Sequence, residues 1–215
     1  MKHAAHALVL SAWMALALNA SAGTITFDDL PVGTVVGSQY AGVVFSPNAI
    51  TGDGFATNTD LTVVSATGSD VGFDGLGEPS LASGNVLRSF NAWVNENGNP
   101  SFRVSFASAI NSFSAIFAGV FDSSNVTLMA YDGTSLLSTV MGNSPDEQFA
   151  LSITGPHITS VVVSPGTLDD YVAVDNIQYI AAVPEPSVLA LSSAGLALVV
   201  WAGKRRRKSG KHWGK

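Results

Sequence analysis

Ser101-Phe102-Arg103-Val104-Ser105-Phe106 alternates polar and apolar side chains without a break. A period of two puts Phe102, Val104 and Phe106 on one face and Ser101, Arg103 and Ser105 on the other, which is the pattern of a half-buried strand. Similar runs recur outward from it. Residues 24–27, 43–45, 61–65 and 71–73 precede it, and residues 85–88 and 90–94 add short strands. Residues 113–117 are more uniformly apolar. Val126, Leu128 and Ala130 alternate again, and Tyr131-Asp132-Gly133-Thr134 supplies an Asp-Gly turn that tolerates positive φ. Residues 136–140 make the return strand, and residues 149–153, 158–163 and 172–180 complete the series. No segment between residues 23 and 182 carries a helical period. Many short strands with regular turn signals predict an all-β fold, a β-sandwich of jelly-roll type.

One strand carries its own irregularity. In Tyr171-Val172-Ala173-Val174-Asp175-Asn176-Ile177-Gln178-Tyr179, strict alternation cannot bury both Val174 and Ile177. A bulge is therefore expected at Asp175 or Asn176.

The charge is sharply partitioned. Of ten Lys and Arg, Lys2 lies near the start and seven lie beyond Gly203, which leaves Arg88 and Arg103 between residues 23 and 182. Of sixteen Asp and Glu, all but Glu185 lie in that segment, so its formal charge is 2 − 15 = −13. Such a surface repels nucleic acid, whose binding needs Lys and Arg against phosphates. The acids either keep an exported protein soluble or attract divalent cations. Cysteine is absent, which excludes disulfides, zinc–thiolate sites and thiol nucleophiles. Abundant Gly, Ser, Thr and Asn suit short strands and tight turns. The 160 residues from 23 to 182 suit one domain.

The two ends frame that domain. Lys2, an apolar stretch from Ala7 to Leu18, and Ala20-Ser21-Ala22 before Gly23 form a secretory signal peptide over residues 1–22. The small residues Ala20 and Ala22 set cleavage ahead of Gly23. At the other end Val183, Pro184, Glu185 and Pro186 lead into an uncharged span over residues 188–203. Prolines keep the motif extended. The 15 residues 188–202 make a helix of roughly 22 Å, short for a hydrocarbon core of roughly 30 Å. Lys204, Arg205, Arg206, Arg207 and Lys208 follow. This basic stop holds the end on the cytoplasmic side, with a basic tail over residues 209–215. A plain tail anchor is the alternative reading.

The Pro-Glu-Pro motif, apolar span and Arg-rich end of residues 183–208 resemble the PEP-CTERM sorting signal of Gram-negative bacteria. The resemblance implies export and an inner-membrane-tethered precursor. It implies an exosortase-type processing enzyme as partner, then display at the cell surface or in an extracellular matrix linked to exopolysaccharide and biofilm. The strand that includes Asp175 and the opening Thr24-Ile25-Thr26-Phe27-Asp28-Asp29-Leu30-Pro31 also resemble the last and first strands of jelly-roll modules. Those strands tend to be neighbours in such folds.

Candidate chemistry is sparse. If the terminal strands pair, Asp28 or Asp29 approaches Asp175, with carbonyls completing a Ca²⁺ shell; a structural calcium of that kind occurs in the jelly-roll carbohydrate-binding modules this chain resembles. Asp70, Asp74 and Glu78 form a second acidic cluster; solvated turn aspartates are the competing explanation for both. His157, beside Pro156, is the one histidine of the domain. Any Ser-His-Asp relay would pass through it, yet no nucleophile elbow, phosphate loop or zinc helix is present. Trp93, the one tryptophan of the domain, lies among Asn91, Asn95, Glu96 and Asn97. It either packs in the core or presents a sugar-stacking ring; Tyr40, Tyr131 and Tyr171 are further aromatic candidates. The sequence thus reads as a non-catalytic, structural or adhesive exported protein. Its alternative is an extracellular carbohydrate-binding module or weak glycoside hydrolase.

Overall fold

The strand Phe102–Ala118, β5 below, runs for 17 residues and organises the fold. A computed structural model of the chain describes residues 22–48, 61–66, 81–88, 101–120, 122–165 and 172–182. These belong to one compact unit, Asn19–Ala182. The described strands are β1 (Ala22–Ile25), β2 (Val43–Pro47), β3 (Thr62–Ser65), β4 (Asn85–Arg88), β5, β6 (Thr127–Asp132), β7 (Ser135–Met141), β8 (Gln148–Ser164) and β9 (Ala173–Ala181). All pair antiparallel, in the order β3-β4-β9-β5-β8-β6-β7, with β1 on β9 and β2 on β5. The all-β expectation therefore holds. The sorting motif, the span, the basic block, Trp93 and the Asp70–Glu78 cluster lie outside the described residues, as do the strands expected at 71–73 and 90–94. Among the described residues no helix is long and apolar enough to cross a membrane.

Two of the expected breaks are absent. Residues 101–106 and 113–117 belong to one strand, β5, and residues 149–153 and 158–163 to another, β8. Each is long enough to serve two sheets. The first part of β5, Phe102–Ser105, lies between β2 and the last part of β8. Its second part, Ser112–Ala118, lies between the first part of β8 and β9. The sheet thereby folds over into two layers. One is β2-β5-β8-β6-β7; the other is β8-β5-β9 with β4, β3 and β1 beyond it.

Bulges let the long strands turn. In β5 the buried residues are Phe102, Val104, Phe106 and Ile110, then Phe113, Ala115 and Phe117. The inward parity switches from even to odd, and the ladder slips between Ile110 and Ser112. An extra residue moves every following side chain to the opposite face. In β8 the ladder to β5 skips from Thr154 to Ile158, across Gly155, Pro156 and His157. His157 has φ 57 there.

The predicted bulge in β9 is present. Ser114 pairs with Gln178 but Ile116 pairs with Asp175, and Asn176 adopts φ 47. Asparagine tolerates this left-handed conformation better than most side chains. Val174 and Ile177 are both fully buried as a result.

Aromatic rings fill the space between the layers. Phe27 meets Tyr40 and Phe45 edge-on, and Phe45 stacks on Phe102. Phe106 joins Phe113 and Tyr179 across the fold, while Phe117 stacks on Phe149. Burying an aromatic side chain of this kind contributes about 1.5–3 kcal/mol.

Candidate functional site

Two polar assemblies stand out, one on the outer face of the first layer and one at the edge of the second. The first grows from the alternation that opened the sequence. Arg103 and Ser105 point away from the core because Phe102, Val104 and Phe106 point into it. The register places Ser105 opposite Ser160, and Ser160 opposite Tyr131. Arg103 reaches diagonally across this row. Its Nη1 donates to Ser160 Oγ at 2.7 Å, and its guanidinium carbon lies 4.9 Å from the centroid of the Tyr131 ring. Such a cation–π contact fixes the orientation of the guanidinium plane.

The Asp-Gly hairpin closes one side. Gly133 adopts φ 57, as the turn requires. Its N–H donates to Thr159 Oγ1 at 2.8 Å, and that hydroxyl donates to the Tyr131 carbonyl at 3.2 Å. Arg103, Ser105, Tyr131, Gly133, Thr134, Thr159 and Ser160 thus line an open depression of about 470 Å³. Tyr131 was legible as an aromatic candidate; Arg103 was not singled out. Its signal was an outward arginine in a strand of a domain nearly devoid of cations.

His157 lies close in sequence, on the exposed side of the bend in β8. Its Nδ1 is 3.1 Å from Asp132 Oδ1, with the two side chains 66% and 46% exposed. An ion pair so exposed contributes at most about 1 kcal/mol. Among the described residues no Ser or Thr hydroxyl hydrogen-bonds to His157, whose partner is Asp132.

The second assembly is a clamp on residues 81–85. Gln148 Oε1 accepts from the N–H groups of Leu81 and Ala82 at 2.8 and 3.2 Å. Asp175 Oδ2 accepts from Ser83 N–H at 3.2 Å, and Asp28 Oδ1 from Asn85 N–H at 2.8 Å. Asn85 Nδ2 donates back to the Leu30 carbonyl at 2.9 Å. Gly84, at φ 68, sits so close under Asp28 that an added Cβ would overlap its carboxylate. Asp175 also accepts from Asn176, at Oδ1 from its backbone N–H (2.6 Å) and at Oδ2 from its side-chain amide (3.2 Å). Burial pushes the Asp175 carboxyl up to about 6, and the nearby Asp28 charge adds to this, while the Asn176 and Ser83 N–H groups pull the other way.

The structure therefore brings Asp28 and Asp175 to one loop, as expected from the pairing of β1 with β9. Asp29 does not join them: it accepts from the Tyr40 hydroxyl at 2.8 Å. Burial first, then Asp29, pushes the Tyr40 phenol up. Three of the acceptor positions of Asp175 are already taken by N–H donors. Among the described residues no three His, Cys, Asp or Glu side chains converge as metal ligands. The N–H donors make the set a hydrogen-bonded clamp on residues 81–85.

Ala22 and Gly23, the residues expected to flank signal cleavage, open β1, where they pair with Ile180 and Tyr179. The Tyr179 ring covers Gly23 closely enough to exclude any Cβ.

Comparison with known proteins gives a likeness in architecture. No family model matches the chain, and no curated protein matches it. Among solved structures, the K2 cleaved adhesin domain of Lys-gingipain is similar at 16% identity and a TM-score of 0.47, over 74% of this chain and 99% of that one. At that level no ligand or role passes from one to the other.

Proposed function

We propose that the chain is an exported, exosortase-sorted protein of the cell surface or extracellular matrix. Its β-sandwich acts there as a structural, adhesive module in contact with exopolysaccharide. The carrying observation is the pairing of β1 with β9, in which Ala22 lies opposite Ile180. The domain begins and ends at neighbouring positions on one sheet. The leader before Gly23 and the sorting signal after Ala182 are joined to it there, and the outer face bearing Arg103 and Tyr131 belongs to other strands. Tethering at one place with contact elsewhere is what a displayed module needs.

A second reading, an extracellular carbohydrate-binding module, is favoured by the hydroxyl-lined depression. Surface-fraction mass spectrometry tests the main reading. The expected mature chain begins at Gly23 and ends near Pro184–Pro186. An intact Lys215 at the surface, or a cytosolic chain still carrying Met1, refutes it.

A further inference from the structure

Arg103 is the feature of this domain most at odds with its surroundings. The segment holds fifteen carboxylates and two cations, yet among the described residues Arg103 pairs with a hydroxyl and a ring and with no carboxylate. A guanidinium carries five N–H donors in a flat fork. One goes to Ser160, and the ring of Tyr131 holds the plane in place. The Tyr131 hydroxyl meets the thioether of Met129 at 3.8 Å, a weak acceptor that leaves most of its capacity unused.

We propose that this depression binds a carboxylated saccharide, with the guanidinium of Arg103 receiving the carboxylate of a hexuronate-type residue. The fork geometry of arginine matches a carboxylate through two parallel N–H···O bonds. The sugar hydroxyls need partners that both donate and accept. Ser105, Thr134, Ser160 and Tyr131 bring such hydroxyls to the same wall. A volume of about 470 Å³ falls in the range of small-molecule sites, about 300–1,000 Å³. The domain's net charge of −13 opposes long polyanions, so the site suits an isolated acidic residue within a glycan more than an unbroken polyuronate. An acidic peptide fits less well, since the side chains of the wall present hydroxyls suited to a polyol.

The inference rests on the reading of the domain as an extracellular contact module. Its test is calorimetric titration of the full-length chain in detergent with four probes: trigalacturonate, its methyl ester, triglutamate and inorganic phosphate. Saturable binding of trigalacturonate is expected. Methyl esterification, or Arg103→Gln, should weaken it by about tenfold or more, the loss of a charge-assisted pair. Arg103→Lys should recover only part, because an ammonium lacks the fork. Thr134→Ala lies on an exposed turn and should weaken binding severalfold with an unchanged melting temperature, so loss of binding there is not loss of fold. No binding of trigalacturonate, equal binding of its ester, or full affinity in Arg103→Gln overturns the proposal. So does equal affinity for triglutamate or phosphate, which would mark a plain anion site. Surface display is scored separately. A displayed protein that ignores trigalacturonate sinks this site alone; a cytosolic protein that binds it sinks the exported reading alone.

Discussion

Asp175 should make this protein more stable in mild acid. The perturbation is Asp175→Asn, compared with wild type between pH 4 and pH 8. The carboxyl is buried, and its value in the folded state is about 6 against an ordinary 3.8. Between those two values the native state holds more protons than the unfolded chain, so stability falls as pH rises. The penalty is absent below pH 4 and complete above pH 6 or so. Taken whole that gap is worth about 3 kcal/mol, and solvent screening at the sheet edge leaves about 1–2 kcal/mol. Asparagine does not ionise, so the difference between wild type and variant isolates this one group from the other acids. Urea unfolding followed by far-ultraviolet circular dichroism measures it. With a slope of about 2 kcal/mol per molar, the midpoint difference should move by about 0.5–1 M in favour of wild type on acidification from pH 7 to pH 4. A pH-independent difference, or one that grows toward alkaline pH, refutes the burial argument. Calcium on Asp175 would produce the second result, because a cation lowers the carboxyl instead of raising it.

Three other perturbations probe the clamp and the core. If backbone N–H groups and no cation hold Asp28 and Asp175 against residues 81–85, chelator should leave the melting temperature unchanged; a fall of several degrees, reversed by calcium, would restore the metal. Gly84→Ala should cost about 2 kcal/mol or more, from its left-handed backbone and the overlap with Asp28, read as a shifted urea midpoint. Gln148→Ala strips the acceptor from the Leu81 and Ala82 N–H groups and should cost about 2–3 kcal/mol by the same assay.

The legible parts of this fold were those set by neighbours in sequence. The alternation around Val104 gave a strand, Asp132-Gly133 gave its hairpin, and the conflict between Val174 and Ile177 located a bulge to within a residue. The long strands were misread for the same reason. Ala107, Ser108 and Ala109, and Gly155, Pro156 and His157, interrupt the alternation just as a turn would. In the structure they are bends at which the strand passes from one layer to the other, and only the partners across the ladder distinguish a bend from a break. The clamp was half legible. Pairing of the terminal strands brought Asp28 toward Asp175, but loop 81–85 arrives from elsewhere, 57 residues from Asp28 to Asn85. Local sequence therefore offered carboxylates in search of a cation, and tertiary structure supplied backbone N–H groups. Arg103 and Tyr131 are separated by the whole β5 excursion and meet only through β8.

On the proposed reading, in which a leader is removed ahead of Gly23, the pairing of β1 orders the events of export. A strand paired in a sheet cannot be drawn into a protease cleft as an extended substrate without breaking its ladder. Ala22 and Gly23 are paired with Ile180 and Tyr179 in the finished fold, and β9 is the last of the described strands, so it would emerge after the others in an N-terminus-first crossing. On that reading removal of the leader has to precede the pairing of β1 with β9, and the delay before β9 emerges provides the interval. Once Gly23 is the first residue, three of the four β1 pairs survive: Gly23 with Tyr179, Thr24 with Gln178, and Ile25 with Ile177. Only Ile25 of these is deeply buried on the β1 side, so the apolar anchor of the strand lies farthest from the cut. Cleavage then costs the folded domain little, and closure of the terminal strands commits the chain to its processed form.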